Sequence, residues 1–291
     1  MIAQINPPTS FLCDSPLARD DDSSGLETLL DYLKCNRECD LTGYKRSTLM
    51  RRFRHRMQQL NLYSYSNYLR FLQDCPNEHL ALLDEVLINF TGFFRDRHTW
   101  EYLATEVIPS IVASKSSNEP IRVWSAGCAT GQEVCSLLIL LAEILGLEAC
   151  LERVQFYATD ADVHALQQAR RGVYRETDVV HLPPQWLKKY FVRTCRGYVF
   201  HPTLRRIVTF KRHNLMQDAP LHDVNLLVCR NVLMYLTAEA QQSILGRFHA
   251  SLEDKGFLFL GQAELLFHQR HLFRTVNLQQ RFYTKALDSV W

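Results

Sequence analysis

The chain has 291 residues, 47% of them hydrophobic and 22% charged. That composition excludes a mostly disordered chain, and the length suits one large or two modest domains. Thirty-three basic residues against thirty-one acidic ones give a net charge of +2, so bulk charge makes no case for a nucleic-acid partner. The best apolar run, residues 134–147, is too short to span a bilayer and contains Glu143, so no membrane insertion is expected. The N-terminus has no basic start leading into an apolar core, and the nine cysteines are an odd, scattered set. Both point to reduced thiols in a cytoplasmic protein.

Residues 1–25 read as a flexible tail. Pro7, Pro8 and Pro16 break structure there, and Asp20-Asp21-Asp22-Ser23-Ser24 is a solvated run. Residues 26–98 read as a small all-α domain, beginning with Leu26, Leu29, Leu30 and Leu33 at helical spacing. Leu49, Phe53, Met57 and Leu60 then form one apolar stripe, with Arg51, Arg52, Arg54 and Arg56 around the rest of that helix. No acidic residue occurs from Lys45 to Arg70. Like charges at close spacing cost a helix a little stability. Two readings stand: a solvated helix face, or a docking surface for an acidic partner. The segment Asn89-Phe90-Thr91-Gly92-Phe93-Phe94-Arg95-Asp96 follows, in which Thr91 and Gly92 interrupt an apolar stretch and leave Arg95 near its end.

Residues 99–291 alternate strand and helix signals. Strands are expected at residues 121–126, 154–160, 225–229 and 256–261, and helices at 134–147, 162–171 and from about Ala238. Such alternation predicts an α/β fold with a doubly wound, mostly parallel sheet, whose strand ends share the ligand-binding rim. Strand-like pieces at residues 190–191, 197–200 and 206–210 lack helices between them. They predict a small antiparallel β insert at about 187–213.

Gly127-Cys128-Ala129-Thr130-Gly131 links a strand to a helix. Glycines there admit a ligand close to the backbone, and the helix start offers free amides. The loop lacks the Gly-Lys-Ser/Thr of a triphosphate loop and the Gly-x-Gly-x-x-Gly dinucleotide spacing. Asp160, at the end of the next strand, suits the vicinal hydroxyls of a ribose, or it caps the following helix, as Asp162 also could. Glu133, in a first helical turn, either complements the dipole or accepts from a ligand ammonium. Asn231 and Tyr235 are four apart, so one helical turn would present an amide and a phenol on one face, unless Tyr235 is ordinary core packing. Cys35 and Cys39 have the wrong spacing for zinc, and no metal is expected. No Gly-x-Ser-x-Gly elbow occurs.

Taken together, Thr91-Gly92-Phe93-Phe94-Arg95-Asp96, Val123-Trp124-Ser125-Ala126-Gly127-Cys128-Ala129-Thr130-Gly131-Gln132-Glu133, Ala158-Thr159-Asp160, Asn214-Leu215 and Cys229-Arg230-Asn231-Val232-Leu233-Met234-Tyr235 resemble the CheR-type methyltransferases. These bacterial chemotaxis enzymes methylate receptor glutamates with S-adenosylmethionine, releasing S-adenosylhomocysteine. The resemblance runs in order from about Leu26 to the end. It implies a Rossmann-like methyltransferase domain with a β-subdomain insert, preceded by the all-α domain. It also implies that Glu133 holds the cofactor's amino group, Asp160 its ribose, and Asn214 and Leu215 its adenine. Asn89, Thr91 and Arg95 would close over it, Arg230 and Asn231 would flank the methionine portion, and Arg95 and Tyr235 would lie nearest the transferred methyl as catalytic residues. Arg51, Arg52, Arg54 and Arg56 would dock on the acidic cytoplasmic methylation region of a chemoreceptor. The enzyme is expected to act as a monomer in sensory adaptation.

Two departures qualify the match. The family's Pro-Tyr-Ser after the acid is Val134-Cys135-Ser136 here, which bears on the cofactor pocket. The loop of the insert is short, whereas members that grip a receptor's C-terminal pentapeptide have a longer, glycine-containing one. A pentapeptide-independent enzyme is therefore expected. The alternative is a non-catalytic module that senses S-adenosylmethionine or S-adenosylhomocysteine.

Overall fold

The computed structural model describes residues 16–37, 39–266 and 271–286, with side chains from Ser24 onward. The chain forms two compact units. One comprises Met1–Thr42 with Arg46–Val86, the other Gly43–Lys45 with Leu87–Trp291. The division thus falls at Val86, not at the expected residue 98. The cause is the pair Phe93 and Phe94, whose rings pack edge-on against Tyr174 at 4.9 Å and Trp100 at 5.3 Å in the larger unit.

The smaller unit is all α: α1 (Pro16–Arg37), α2 (Arg46–Gln59), α3 (Tyr65–Asp74) and α4 (Glu78–Val86). Helix α1 begins inside the segment expected to be a loose tail. Proline is tolerated at a helix's first position. The rest of that expected tail, residues 1–15, lies outside the described residues. Leu26, Leu29, Leu30 and Leu33 of α1 are buried, as are Leu49, Phe53 and Met57 of α2, while Leu60, expected on the same stripe, lies just past α2 and is half-buried.

The larger unit opens with α5 (Arg97–Tyr102), a π-turn at Leu103–Val107 and α6 (Ile108–Ala113). The alternating part follows: β1 (Ile121–Ala126), α7 (Gln132–Leu145), α8 (Leu147–Arg153), β2 (Val154–Asp160) and α9 (Val163–Arg171). After it come β3 (Val173–Tyr174), α10 (Glu176–Val179), α11 (Pro184–Tyr190), β4 (Phe191–Thr194), β5 (Gly197–Phe200) and α12 (Pro202–Arg206). The unit closes with β6 (Val208–Arg212), β7 (Val224–Cys229), a 3-10 turn at Leu233–Tyr235, α13 (Ala238–Ser251), β8 (Leu252–Leu260), β9 (Phe273–Asn277) and β10 (Phe282–Lys285).

The main sheet has seven strands in the order β6-β2-β1-β7-β8-β10-β9. The first five run parallel, and β10 and β9 pair antiparallel at one edge. Alternate residues of one strand feed opposite faces: Val123 joins the core beneath α7, while Trp124 joins the core that includes Phe248 of α13. The chain leaves β1 for β2 on one side and later returns to β7 on the other. That reversal makes a crevice at the carboxyl ends of β1 and β7.

The antiparallel insert differs from expectation. Its three strands are β3, β5 and β4. The piece read at 206–210 is instead β6, which pairs parallel with β2, Asp160 opposite Arg212. Helix α12 turns the chain back between them, so the insert spans residues 173–200 rather than 187–213. Among the described residues no single helix is long and apolar enough to cross a membrane, and the cysteines described there, eight of the nine, are free thiols.

Candidate active site

The strand ends bring the sequence motifs to one rim. Ala126 of β1 is in register with Thr159 of β2, and Ser125 with Val228 of β7. Gly127, Asp160 and Arg230 therefore leave adjacent strands side by side. Asn214 follows β6, whose last residue lies beside Asp160.

The loop from Gly127 to Gly131 is held by main-chain torsions that few side chains accept. Gly127, Ala129 and Gly131 all have positive φ. At Gly131, which precedes α7, an added Cβ would also stand 2.9 Å from the Cβ of Ala169 on α9, so glycine is needed there. The hydroxyl of Tyr174 donates to the Thr130 carbonyl and meets Cys135 Sγ at 3.3 Å. Cys135 is thus packed against an aromatic side chain from β3. Sequence reasoning missed Tyr174, because nothing local marks it.

Asp160 ties this loop to β2. Its Oδ2 accepts from the Ala129 amide at 2.8 Å, and its Oδ1 accepts from the Asp162 amide at 2.9 Å. Each oxygen keeps a further lone pair. Asp162, not Asp160, caps α9, accepting from His164 and Ala165, and it also receives the Asn89 side-chain amide. That resolves the capping ambiguity and leaves Asp160 available for a diol. Burial raises the Asp160 pKa, against the lowering effect of those amides.

Glu133 is buried in the first turn of α7. Its Oε1 accepts from the Ser125 hydroxyl at 2.8 Å, and its Oε2 lies 3.7 Å from Arg230 Nη1. Burial pushes its carboxyl up, while Arg230, Ser125 and Arg95 pull it down. Arg230 is 6% exposed. Its Nη2 donates to the Arg95 carbonyl at 2.8 Å and to Asp96 Oδ2 at 2.7 Å. Its guanidinium also lies over the rings of Phe259 and Trp100. The buried Nε of Arg230 has no hydrogen-bond partner. Such a group in a native fold calls for one.

The segment 89–96 lies along this cluster. The Phe94 amide donates to Ser136, and Arg95 is half-buried with its guanidinium near the Phe90 carbonyl and ring. Thr91 is likewise half-buried. Asn214 caps its own turn, accepting from the Met216 amide, and half-buried Leu215 packs against the core on the α13 side. The expected α-helical turn from Asn231 to Tyr235 is not formed. Asn231 has φ of 60°, and only a 3-10 turn follows. Tyr235 is half-buried, and its carbonyl accepts from the Lys45 amide at 2.9 Å, while Lys45 Nζ donates to the Met234 carbonyl. Lys45 therefore belongs to this unit and not to the basic helix, which starts at Arg46.

In the smaller unit two of the four expected docking arginines are seen on its own carboxylates. Arg56 donates to both oxygens of buried Glu78, which also receives the Tyr68 hydroxyl, and Arg52 lies 3.5 Å from Glu85. Arg51 and Arg54, with Ser47, Met50, His55 and Gln58, line an open cleft along α2. The acids missing from the sequence neighbourhood are supplied by α4.

A buried carboxylate, a second carboxylate with spare lone pairs and a buried guanidinium nitrogen without an acceptor are groups that could hold an ammonium, a diol and a carboxylate of one ligand. No group of three or more metal-ligating side chains occurs among the described residues.

Comparison with known proteins identifies the family. Residues 89–282 match the family model described as CheR methyltransferase, SAM binding domain, and residues 24–87 match CheR methyltransferase, all-alpha domain. The chain is 33% identical over 247 residues to the chemotaxis protein methyltransferase of Escherichia coli K12, covering 80% of this chain and 81% of that one. It is 31% identical over 251 residues to the chemotaxis protein methyltransferase of Listeria innocua, covering 85% and 92%. It also matches an uncharacterized 104.1 kDa protein of Rhodobacter capsulatus, 32% identical over 261 residues, of which it spans 90% of its own length but only 27% of the relative's.

Proposed function

Because the chain belongs to the CheR methyltransferase family and uses S-adenosylmethionine, we propose that it methylates glutamate carboxylates of a chemoreceptor, in sensory adaptation and without a receptor pentapeptide tether. The observation that carries this reading is the convergence of Glu133, Asp160, Arg230 and Arg95 around one rim. The hairpin between β4 and β5 turns through Cys195 and Arg196 alone, which supports pentapeptide independence.

The electrophile is the sulfonium methyl of S-adenosylmethionine, so the difficult chemistry is the cofactor's. A glutamate carboxylate has a pKa of about 4.3, so it is ionised at neutral pH and needs no general base. The protein's task is then alignment and exclusion of water, which can supply about 7–11 kcal/mol in favourable cases. Glu133 binds the amino group and Asp160 the ribose. Arg230 and Asn231 flank the methionine portion, and Asn214 and Leu215 line the adenine site. Asn89 and Thr91 close the near side. Arg95 orients the incoming carboxylate, exchanging its Phe90 contacts for it, and Tyr235 fixes the approach. Too tight a grip by Arg95 would blunt the nucleophile, because its charge disperses in the transition state. Arg51 and Arg54 meet the acidic receptor surface, while Arg52 and Arg56 serve mainly the smaller unit's own carboxylates.

Tritiated-methyl transfer onto receptor-rich membranes tests the proposal. A base-labile label is expected, as a glutamyl methyl ester requires. A protein that only senses the cofactor would leave none.

A further inference from the structure

One buried titratable group takes no part in the mechanism above. Glu264 lies just past β8 and is 5% exposed. Its two oxygens take five backbone amides. Oε1 accepts from Val232 at 2.9 Å, Leu233 at 2.7 Å and Met234 at 3.3 Å. Oε2 accepts from Asn231 at 3.0 Å and from Gly261 at 2.7 Å.

Successive amides converging on one point form an anion-binding concavity. Here the anion is the protein's own. The concavity depends on Asn231 adopting φ of 60°, a left-handed conformation that costs a non-glycine residue free energy unless its surroundings hold it there. Gly261 makes the approach possible, because a Cβ at that position would sit 2.7 Å from the Asn231 nitrogen and 2.9 Å from Glu264 Oε2. The clamped residues 231–234 directly follow Arg230, whose guanidinium reaches Asp96, the Arg95 carbonyl and Glu133.

We propose that Glu264 is a positioning residue of the cofactor site, clamping the loop after β7 so that Arg230 and Asn231 are preset for S-adenosylmethionine. This rests on the assignment of Arg230 and Asn231 above. The clamp acts only through that loop.

Glu264→Gln tests it. An amide keeps one acceptor oxygen, so its NH2 must confront either the amides of Asn231 and Gly261 or those of Val232 and Leu233. The KM for S-adenosylmethionine and the calorimetric Kd for S-adenosylhomocysteine are expected to rise about tenfold or more, as stranded buried donors cost that much. The KM for receptor should stay unchanged. A merely structural defect would lower the active fraction and kcat, leaving Kd and both KM values unmoved, and that result overturns the proposal. Should the variant not fold, hydrogen exchange on the wild-type protein decides. The amides of residues 231–234 are expected to be protected before ligand is added. Free exchange without S-adenosylhomocysteine, with protection only on binding, would overturn the preset clamp. Asn231→Ala separates the two levels. Unchanged Kd there sinks the site assignment and the clamp with it. Weakened Kd there with normal Kd in Glu264→Gln sinks the clamp alone.

Discussion

Asp160→Asn removes a charge and one acceptor while keeping the size of the side chain. The carboxylate now serves two amides on opposite oxygens, Ala129 at 2.8 Å and Asp162 at 2.9 Å. Asparagine has one oxygen, so whichever way it flips, one of those amides faces an NH2 group. A stranded buried donor costs about 1–3 kcal/mol. In a unit of this size each kcal/mol lowers Tm by about 2–4 °C, so a loss of about 5 °C is expected. The ligand loses more specifically. Two ribose hydroxyls can donate to a carboxylate, but only one finds an acceptor on the amide, and the bond that remains is no longer charge-assisted. A charge-assisted bond is worth about 1.5–3 kcal/mol, which converts to a Kd for S-adenosylhomocysteine raised about tenfold to a hundredfold. Calorimetry reads Kd and stoichiometry together, so a misfolded fraction lowers the stoichiometry without imitating weak binding. A variant with the Tm loss and an unaltered Kd would refute the ribose role and reduce Asp160 to a tie between β2 and the Gly127 loop.

Arg95→Ala should cut methyl transfer by about a hundredfold or more while Kd for S-adenosylhomocysteine rises by only a few-fold, since the side chain is to orient the substrate; equal losses in steady-state kinetics and calorimetry would count against positioning. Burial raises the folded-state pKa of Glu133 above the ordinary 4.5, so in the range just above that value the folded protein binds more proton there than the unfolded chain does. Its contribution to stability therefore falls as pH rises through that window. A bound ammonium favours the charged form, so binding should release a proton there and weaken as pH falls; calorimetry in buffers of differing ionisation enthalpy reads this, and Glu133→Gln should abolish it. Arg56→Ala strands buried Glu78 and should destabilise the smaller unit by about 3 kcal/mol in denaturant unfolding. The change Arg51→Glu, at an exposed position of α2, should instead leave stability within about 0.5 kcal/mol and raise the KM for receptor.

Much of the site was legible because its parts are local. An apolar strand ending in a small or acidic residue, followed by a helix start, announces itself in a dozen residues. That pattern points to Gly127, Glu133 and Asp160 at one rim, while Arg230 is marked only by the resemblance to the family. What stayed hidden depends on pairing across the chain. The strand Val208–Arg212 is short and half-exposed, so nothing in it says that its partner is β2 rather than β5. Arg52 and Arg56 looked unopposed because their carboxylates, Glu85 and Glu78, lie 33 and 22 residues away. The spacing of Asn231 and Tyr235 predicts a helical turn, but the amides of Asn231 to Met234 are directed at Glu264, 33 residues on from Asn231. Lys45 opens the acid-free stretch of the sequence, yet its amide and ammonium serve the carbonyls of Tyr235 and Met234.

A crystal structure with S-adenosylhomocysteine bound is the most direct test of the site. The account predicts the ribose hydroxyls on Asp160, the amino group on Glu133, and the sulfur facing the open side near Arg95 and Tyr235. Ligand density elsewhere, or a ligand on the rim that bypasses both carboxylates, would contradict it.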